Sequence, residues 1–284
     1  MYARGVLTNS KIQPYLCEAN AEHNCTVFLI PFIEEKRQVM KVSVNAAIFV
    51  DHLNSGESQI DCLEDVSNLK DKIDNIQVRG EFFKENTKDD ELEAIKALCK
   101  KNSWGLYYSV PEQFFIDGHV NNSLKDNVEM AKKHQLKHLK YFVGDVKDVD
   151  QKEIEDAAKL LEDANVDLTL ENLSNETGYL STVLKGLEAV NQYPNIGFTY
   201  DAGNWYWVGE KPEVAFKELK DKVTNYHLKD IKNKKTVMLG EGTTDWEPMI
   251  LGLDPQIPIF LEYGIDDNKI EQELDKVNAV IDMR

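Results

Sequence analysis

Residues 196–228 read IGFTYDAGNWYWVGEKPEVAFKELKDKVTNYHL. The stretch opens on a short, aromatic-rich apolar run, 196–201, and closes on another, 224–228, each of strand length. Between them, 212–223 sets Ala215, Phe216, Leu219 and Val223 three and four residues apart, the spacing of one buried helix face. Two strands joined by a helix run parallel, because the helix carries the chain back across the sheet.

The same alternation extends in both directions. Strands are expected at 42–49, 73–82, 105–110, 138–143, 168–173, 196–201, 224–228 and 257–263. Helices are expected at 89–101, 123–134, 152–165, 180–192, 212–223 and 267–283. In 154–161, Ile154, Ala157, Ala158, Leu160 and Leu161 share one face, with Lys and Asp on the other. Eight strands alternating with helices over roughly 245 residues is the size of a closed (β/α)8 barrel, a TIM barrel. An open doubly wound sheet would carry a Gly-rich turn after its first strand, and none follows Phe49.

The first 39 residues lack this pattern and end in Glu34-Glu35-Lys36-Arg37, whereas Met40 opens a buried-strand pattern. We therefore read an N-terminal extension, 1–39, before a barrel domain, 40–284. Two readings of the extension stay open: a disordered or non-native segment ahead of a natural start at Met40, or an arm packed outside the barrel. Cys17, His23 and Cys25 lie in it at irregular spacing and carry no metal reading.

Composition narrows the function. The chain has 284 residues, 42% hydrophobic and 29% charged, with a formal net charge of −17. A fold this acidic, without a basic stretch, repels phosphate backbones, which argues against nucleic acid as partner. The apolar stretch 26–33 is far short of a membrane span of about 20 residues and lacks the flanks of a secretory signal. Cys17, Cys25, Cys62 and Cys99 form no close pair. Together these features predict a cytoplasmic protein with a small-molecule partner; the sequence leaves a homo-oligomer open.

Active sites of such barrels lie at the carboxyl ends of the strands. The last four expected strands end in Leu170-Glu171-Asn172, Tyr200-Asp201-Ala202, Tyr226-His227-Leu228 and Leu261-Glu262-Tyr263. Each offers one metal-capable side chain at the same height, at steps of 30, 26 and 35 residues between positions 171, 201, 227 and 262. A lone acidic residue there usually caps a helix or meets solvent, and a lone histidine is usually a satisfied structural one. Four on consecutive strands, each in an apolar context where an unpaired charge is costly, point to a shared cation. Three carboxylates and one imidazole suit one divalent metal ion, Mn, Mg, Co or Zn, with positions left for substrate oxygens.

These residues resemble a known family. From about Met40 to the C-terminus the chain is similar to the xylose-isomerase-like barrels, a superfamily of sugar isomerases and epimerases. The resemblance rests on Glu171-Asn172, on Asp201-Ala202-Gly203-Asn204 with Gly209-Glu210-Lys211-Pro212, and on His227-Leu228-Lys229-Asp230. Leu239-Gly240-Glu241-Gly242 with Asp245-Trp246, and Leu261-Glu262, complete it. It implies that Glu171, Asp201, His227 and Glu262 hold the metal and that Glu171 and Glu262 double as acid and base. A sugar or sugar phosphate would be the substrate. Asn204 stands where several epimerases of the superfamily carry a substrate-touching histidine, so the chain departs from them there.

Further substrate-binding candidates are Lys229, Asn204, Trp205, Arg79 and Glu81. Lys229 reads equally as a counter-charge, and Arg79 with Glu81 as a salt bridge at the barrel mouth. Trp205, Tyr206 and Trp207 read either as a platform for the apolar face of a sugar or as a hydrophobic plug, and Tyr107 and Tyr108 allow the same pair of readings. Asp230 is expected to orient His227 or Lys229. The leading expectation is a metal-dependent sugar isomerase or epimerase working through an enediolate. The alternatives are a keto-inositol dehydratase on the same metal and a barrel that binds a metabolite without turnover. DNA repair endonucleases of the same superfamily use more histidines, and the acidic charge argues against that reading.

Overall fold

Eight apolar runs pair side by side as parallel strands and close into a barrel. The structure, a computed structural model, describes residues 40–284. The extension, with Cys17, His23 and Cys25, lies outside the described residues. The barrel strands are β1 (Ser43–Asn45), β2 (Asn75–Arg79), β3 (Gly105–Ile116), β5 (His138–Gly144), β6 (Asp167–Glu171), β7 (Ile196–Asp201), β8 (Val223–Leu228) and β11 (Ile259–Leu261). Strand β4 (His119–Val120) folds back on β3, and β9 (Asp230–Lys232) with β10 (Lys235–Val237) forms a separate hairpin. Neighbours around the barrel follow chain order, with β1 paired to both β2 and β11 and β2 to β3, which is the (β/α)8 topology.

The helices form the outer layer: α1 (Val50–Asn54), α2 (Gln59–Asp65), α3 (Lys88–Asn102), α4 (Leu124–His134), α5 (Gln151–Ala164), α6 (Leu180–Val190), α7 (Pro212–Leu219), α8 (Trp246–Leu251) and α9 (Ile270–Ile281). Each buries one stripe. In α5 the stripe is Ile154, Ala157, Ala158 and Leu161, and the Asp150 side chain caps the helix start by accepting from the Lys152 N–H. Burying each of the larger aliphatic side chains there stabilises the fold by about 2 kcal/mol.

Three boundaries differ from expectation for local reasons. The run 42–49 is a strand only over Ser43–Asn45, because the Asn45 side chain accepts from the Ala47 N–H and turns the chain into a 3-10 helix. Strand β3 runs on to Ile116, past Pro111. It forms a hairpin with β4 through Asp117 and Gly118, both at positive φ (49° and 84°), the backbone of a type I′ turn. The short helices α1, α2 and α8 fill connections the sequence reading left blank; too short for a sustained period, they are fixed by packing.

Cys62 and Cys99 are buried free thiols in α2 and α3, and burial pushes both pKa values up to about 12. Among the described residues, no helix is long and apolar enough to cross a membrane.

Candidate metal centre

Four consecutive barrel strands end in Glu171, Asp201, His227 and Glu262, and these side chains converge. One ligand atom from each lies within 4.8 Å of the others, and all four residues are buried. Asp201 pairs with His227 across β7 and β8, while Glu171 pairs with Thr199, two residues before Asp201, and His227 with Phe260, two residues before Glu262, the stagger by which tilted barrel strands bring residues to one level. The His227 Nδ1 faces the carboxylates, 3.3 Å from Glu171 Oε1 and 3.1 Å from Glu262 Oε2.

Each carboxylate also meets a cation. Lys140 Nζ lies 2.5 Å from Glu171 Oε2, and Arg79 NH1 lies 2.8 Å from Glu262 Oε1. Lys229 Nζ bridges Asp201 Oδ2 at 2.7 Å and Glu262 Oε2 at 2.8 Å. The Asn45 side-chain amide donates to Glu262 Oε1 (3.2 Å) and to Gln77 Oε1 (2.7 Å). Asp201 Oδ1 accepts from the backbone N–H groups of Gly203 and Asn204, and Asn172 accepts from the Asp201 N–H, so that only Oδ2 faces the centre. Gly203 is needed here, because a Cβ at that position would lie 2.4 Å from the Lys229 Cγ and block its path into the site.

The fit to a cation can be tested on these atoms. Glu171 Oε2, Asp201 Oδ2 and Glu262 Oε2 are buried and meet the ammonium groups of Lys140 and Lys229 as ion pairs, and His227 Nε2 is buried without a hydrogen-bond partner. Buried oxygens with unused lone pairs are costly unless something meets them. The titration behaviour is the same argument in another form. Burial raises the Asp201 pKa, Lys229 opposes, and Glu262 and Glu171 add to the rise. His227 is resisted by burial, yet Glu262 and Glu171 hold its pKa up. Glu171 and Glu262 go the other way: against the cost of burial, Lys140 and His227 hold the first low, and His227 and Lys229 the second. Three hard oxygens and one imidazole nitrogen are a donor set for a divalent ion, and the residues present fit one.

The other expected site residues are placed as follows. Arg79 joins Glu81, through Nε at 2.8 Å, to Glu262, which makes it the salt bridge at the mouth and brings it onto a residue of the cluster. The Asn204 side-chain amide donates to the Asn172 carbonyl at 2.9 Å, tying two loops together. Trp205 does not overhang the site: it is fully buried and packs on Tyr200 with ring centroids 5.6 Å apart, the plug of the two readings, while Trp207 is the exposed member of the run. Tyr107 packs on His138 and Phe260, and Tyr108 is buried against Phe83. Asp230 orients neither His227 nor Lys229. Its two oxygens accept from the backbone N–H groups of Ile231, Gly240, Gly242 and Thr244, which fixes the loop behind the hairpin.

Sequence reasoning missed Lys140 and Asn45. Lys140 sits inside an apolar run with its side chain 1% exposed, its ammonium 3.6 Å from the Phe142 ring centroid. The signal was the lysine itself, a charge within a strand otherwise fit for burial.

A family profile described as xylose isomerase-like TIM barrel matches residues 73–279. Among solved structures, the chain is similar to the probable 3-DHS dehydratase AsbF from Bacillus anthracis (18% identity, 84% of this chain and 98% of that one, TM-score 0.62). It is also similar to a xylose isomerase domain protein from Planctomyces limnophilus (15%, 85% and 96%, TM-score 0.60). A third is the D-psicose 3-epimerase with D-tagatose from Clostridium cellulolyticum H10 (16%, 86% and 98%, TM-score 0.56). No curated protein matches the sequence.

Proposed function

Because the chain belongs to the xylose isomerase-like TIM barrel family, we propose that it is a divalent-metal-dependent sugar or sugar-phosphate isomerase or epimerase. The observation that carries this reading is the buried focus of Glu171, Asp201, His227 and Glu262, with one ligand atom from each within 4.8 Å of the others. These four residues would hold the ion. When bound, it supplies positive charge to the oxygen on which an enediolate develops.

The chain's own residues do the rest. Glu171 and Glu262 reach the centre from strands that are not neighbours, β6 and β11, so a ketose lying between them meets a carboxylate on each side. One removes the proton alpha to the carbonyl, and the other returns it on the opposite face, which inverts that carbon. Transfer by one glutamate between adjacent carbons gives isomerisation instead. Arg79 and Lys229, partly open to the mouth with side chains 21% and 14% exposed, are the cations placed to meet substrate oxygens.

A second reading shares the first step. A keto-inositol dehydratase also begins with abstraction alpha to a carbonyl, and one structure similar to this chain is titled a probable dehydratase. One experiment separates the readings. The Mn-loaded chain is incubated with ketoses and keto-inositols in deuterated water. Exchange of the alpha proton in a product of otherwise unchanged mass is expected for the isomerase or epimerase, and loss of one water marks the dehydratase. Binding without exchange for every compound would leave a metabolite-binding barrel and end the enzyme proposal.

A further inference from the structure

Each carboxylate of the centre has a cation of its own. Glu171 has Lys140 at 2.5 Å, Asp201 has Lys229 at 2.7 Å, and Glu262 has Arg79 at 2.8 Å, one cation for each carboxylate. Glu81, 2.7 Å from Arg79, adds one negative charge. Among the described residues no other Lys, Arg, Asp or Glu pairs with these seven; the only further ion-pair partner is His227, which is neutral as a ligand. With the carboxylates ionised and His227 neutral, as around a bound ion, the side chains sum to a single net negative charge, and a divalent ion makes the whole a single net positive one.

Such a surplus is costly in a buried, water-poor site, where an unmatched charge interacts strongly and is poorly screened. It also runs against the protein at large, whose formal net charge of −17 repels anions at long range. The cations are therefore a local feature of the mouth. Resting on the metal-dependent reading above, we propose that the substrate bears one carboxylate, whose charge closes this balance. A neutral ketose leaves the surplus in place. A phosphate monoester, carrying about −1.5 to −2, overshoots it. Arg79 and Lys229 are the groups open to the mouth, whereas Lys140, 1% exposed, acts through its charge alone. Two of the five guanidinium N–H groups of Arg79 remain for an incoming anion, since Nε and one N–H each of NH1 and NH2 are taken by Glu81 and Glu262.

The test is calorimetric binding to the full chain at saturating Mn, with probes that differ only in the charge of one end: D-fructose, D-fructuronate and D-fructose 6-phosphate. Mn binding is measured first. The uronate is expected to bind about tenfold more tightly than the neutral ketose, with the phosphate gaining no more than the uronate. Two substitutions move the balance in opposite directions without removing a group that reaches the substrate. Glu81→Gln, at a partly exposed side chain where folding is not at stake, is expected to widen the uronate preference several-fold. Lys140→Met is expected to erase it.

Equal affinities for the uronate and the ketose, or a preference that Glu81→Gln leaves unmoved, would overturn the inference and leave the metal centre standing. A phosphate preference well beyond that for the uronate overturns it in favour of sugar phosphates. Failure of the first Mn titration removes this inference and the metal-dependent reading together.

Discussion

The two halves of the barrel divide the work at its mouth. The second half, β6 to β11, supplies every candidate ligand: Glu171, Asp201, His227 and Glu262. The first half supplies groups that hold the two glutamates from outside, Asn45 at the end of β1, Arg79 at the end of β2 and Lys140 in β5. Asp201 is the exception, held within the ligand half by Lys229, which also bridges to Glu262, by Asn172 and by the Gly203 and Asn204 N–H groups. The arrangement gives both glutamates the same asymmetry. Each has one oxygen held by a cation of the first half and the other turned toward His227. For the two glutamates, ligand and support thus come from different strands, and substitutions in the two halves should fail in different ways.

The largest effect is expected in the ligand half. Glu262→Gln keeps the shape of the side chain but removes a proton acceptor and weakens a ligand. Turnover, read as alpha-proton exchange of the best ketose, should fall by about a thousandfold or more, while circular dichroism at 25 °C still reports the folded barrel. Retained exchange would take Glu262 out of the mechanism. A collapsed fold would instead mean that the ligand half also carries the stability, and the division would be false.

Lys140→Met attacks the other half. Its ammonium is buried against Glu171, and removing one partner of such a pair leaves the other charge uncompensated, at a cost of about 3–5 kcal/mol. The loss should be greatest without metal, because a divalent ion supplies the missing positive charge. Thermal denaturation with and without Mn is therefore expected to show a larger metal-induced rise in the variant than in the parent chain. An identical rise in both would show that Lys140 does not act on the centre.

The same division separates what could be read in the sequence from what could not. Glu171, Asp201, His227 and Glu262 are legible because each closes an apolar run, and strand ends in a closed barrel share one level. Lys140 stands inside its run, between Leu139 and Tyr141, which are both buried. Parallel barrel strands are covered on both faces, so alternation does not tell a side chain pointing into the barrel from one pointing at the helices. Asn45 was hidden by a boundary: an apolar run that continues to Phe49 gives no sign that the strand stops where the Asn45 side chain caps the next turn. Asp230 was misread because its partners are backbone N–H groups up to 14 residues further on, which no side-chain motif announces.

The smallest expected effect lies at the opposite end of the first half. His138 opens β5, 8% exposed, with its ring 4.6 Å from that of Tyr107 and no hydrogen-bond partner for Nδ1. Burial pushes its pKa down to about 3, helped by the nearby His227. The unfolded chain takes up this proton below about pH 6.5 and the folded chain does not, so the unfolded state binds more protons and stability rises with pH across that window. Read downward, the fold loses about 2 kcal/mol from this group by pH 5 and continues to lose until the folded pKa is reached. His138→Asn should remove that slope. Stability measured by urea denaturation at pH 7.5 and pH 5 should fall less in the variant than in the parent, by about that amount. The ligand cluster is the same in both chains, so equal losses would place the acid sensitivity of the barrel outside His138.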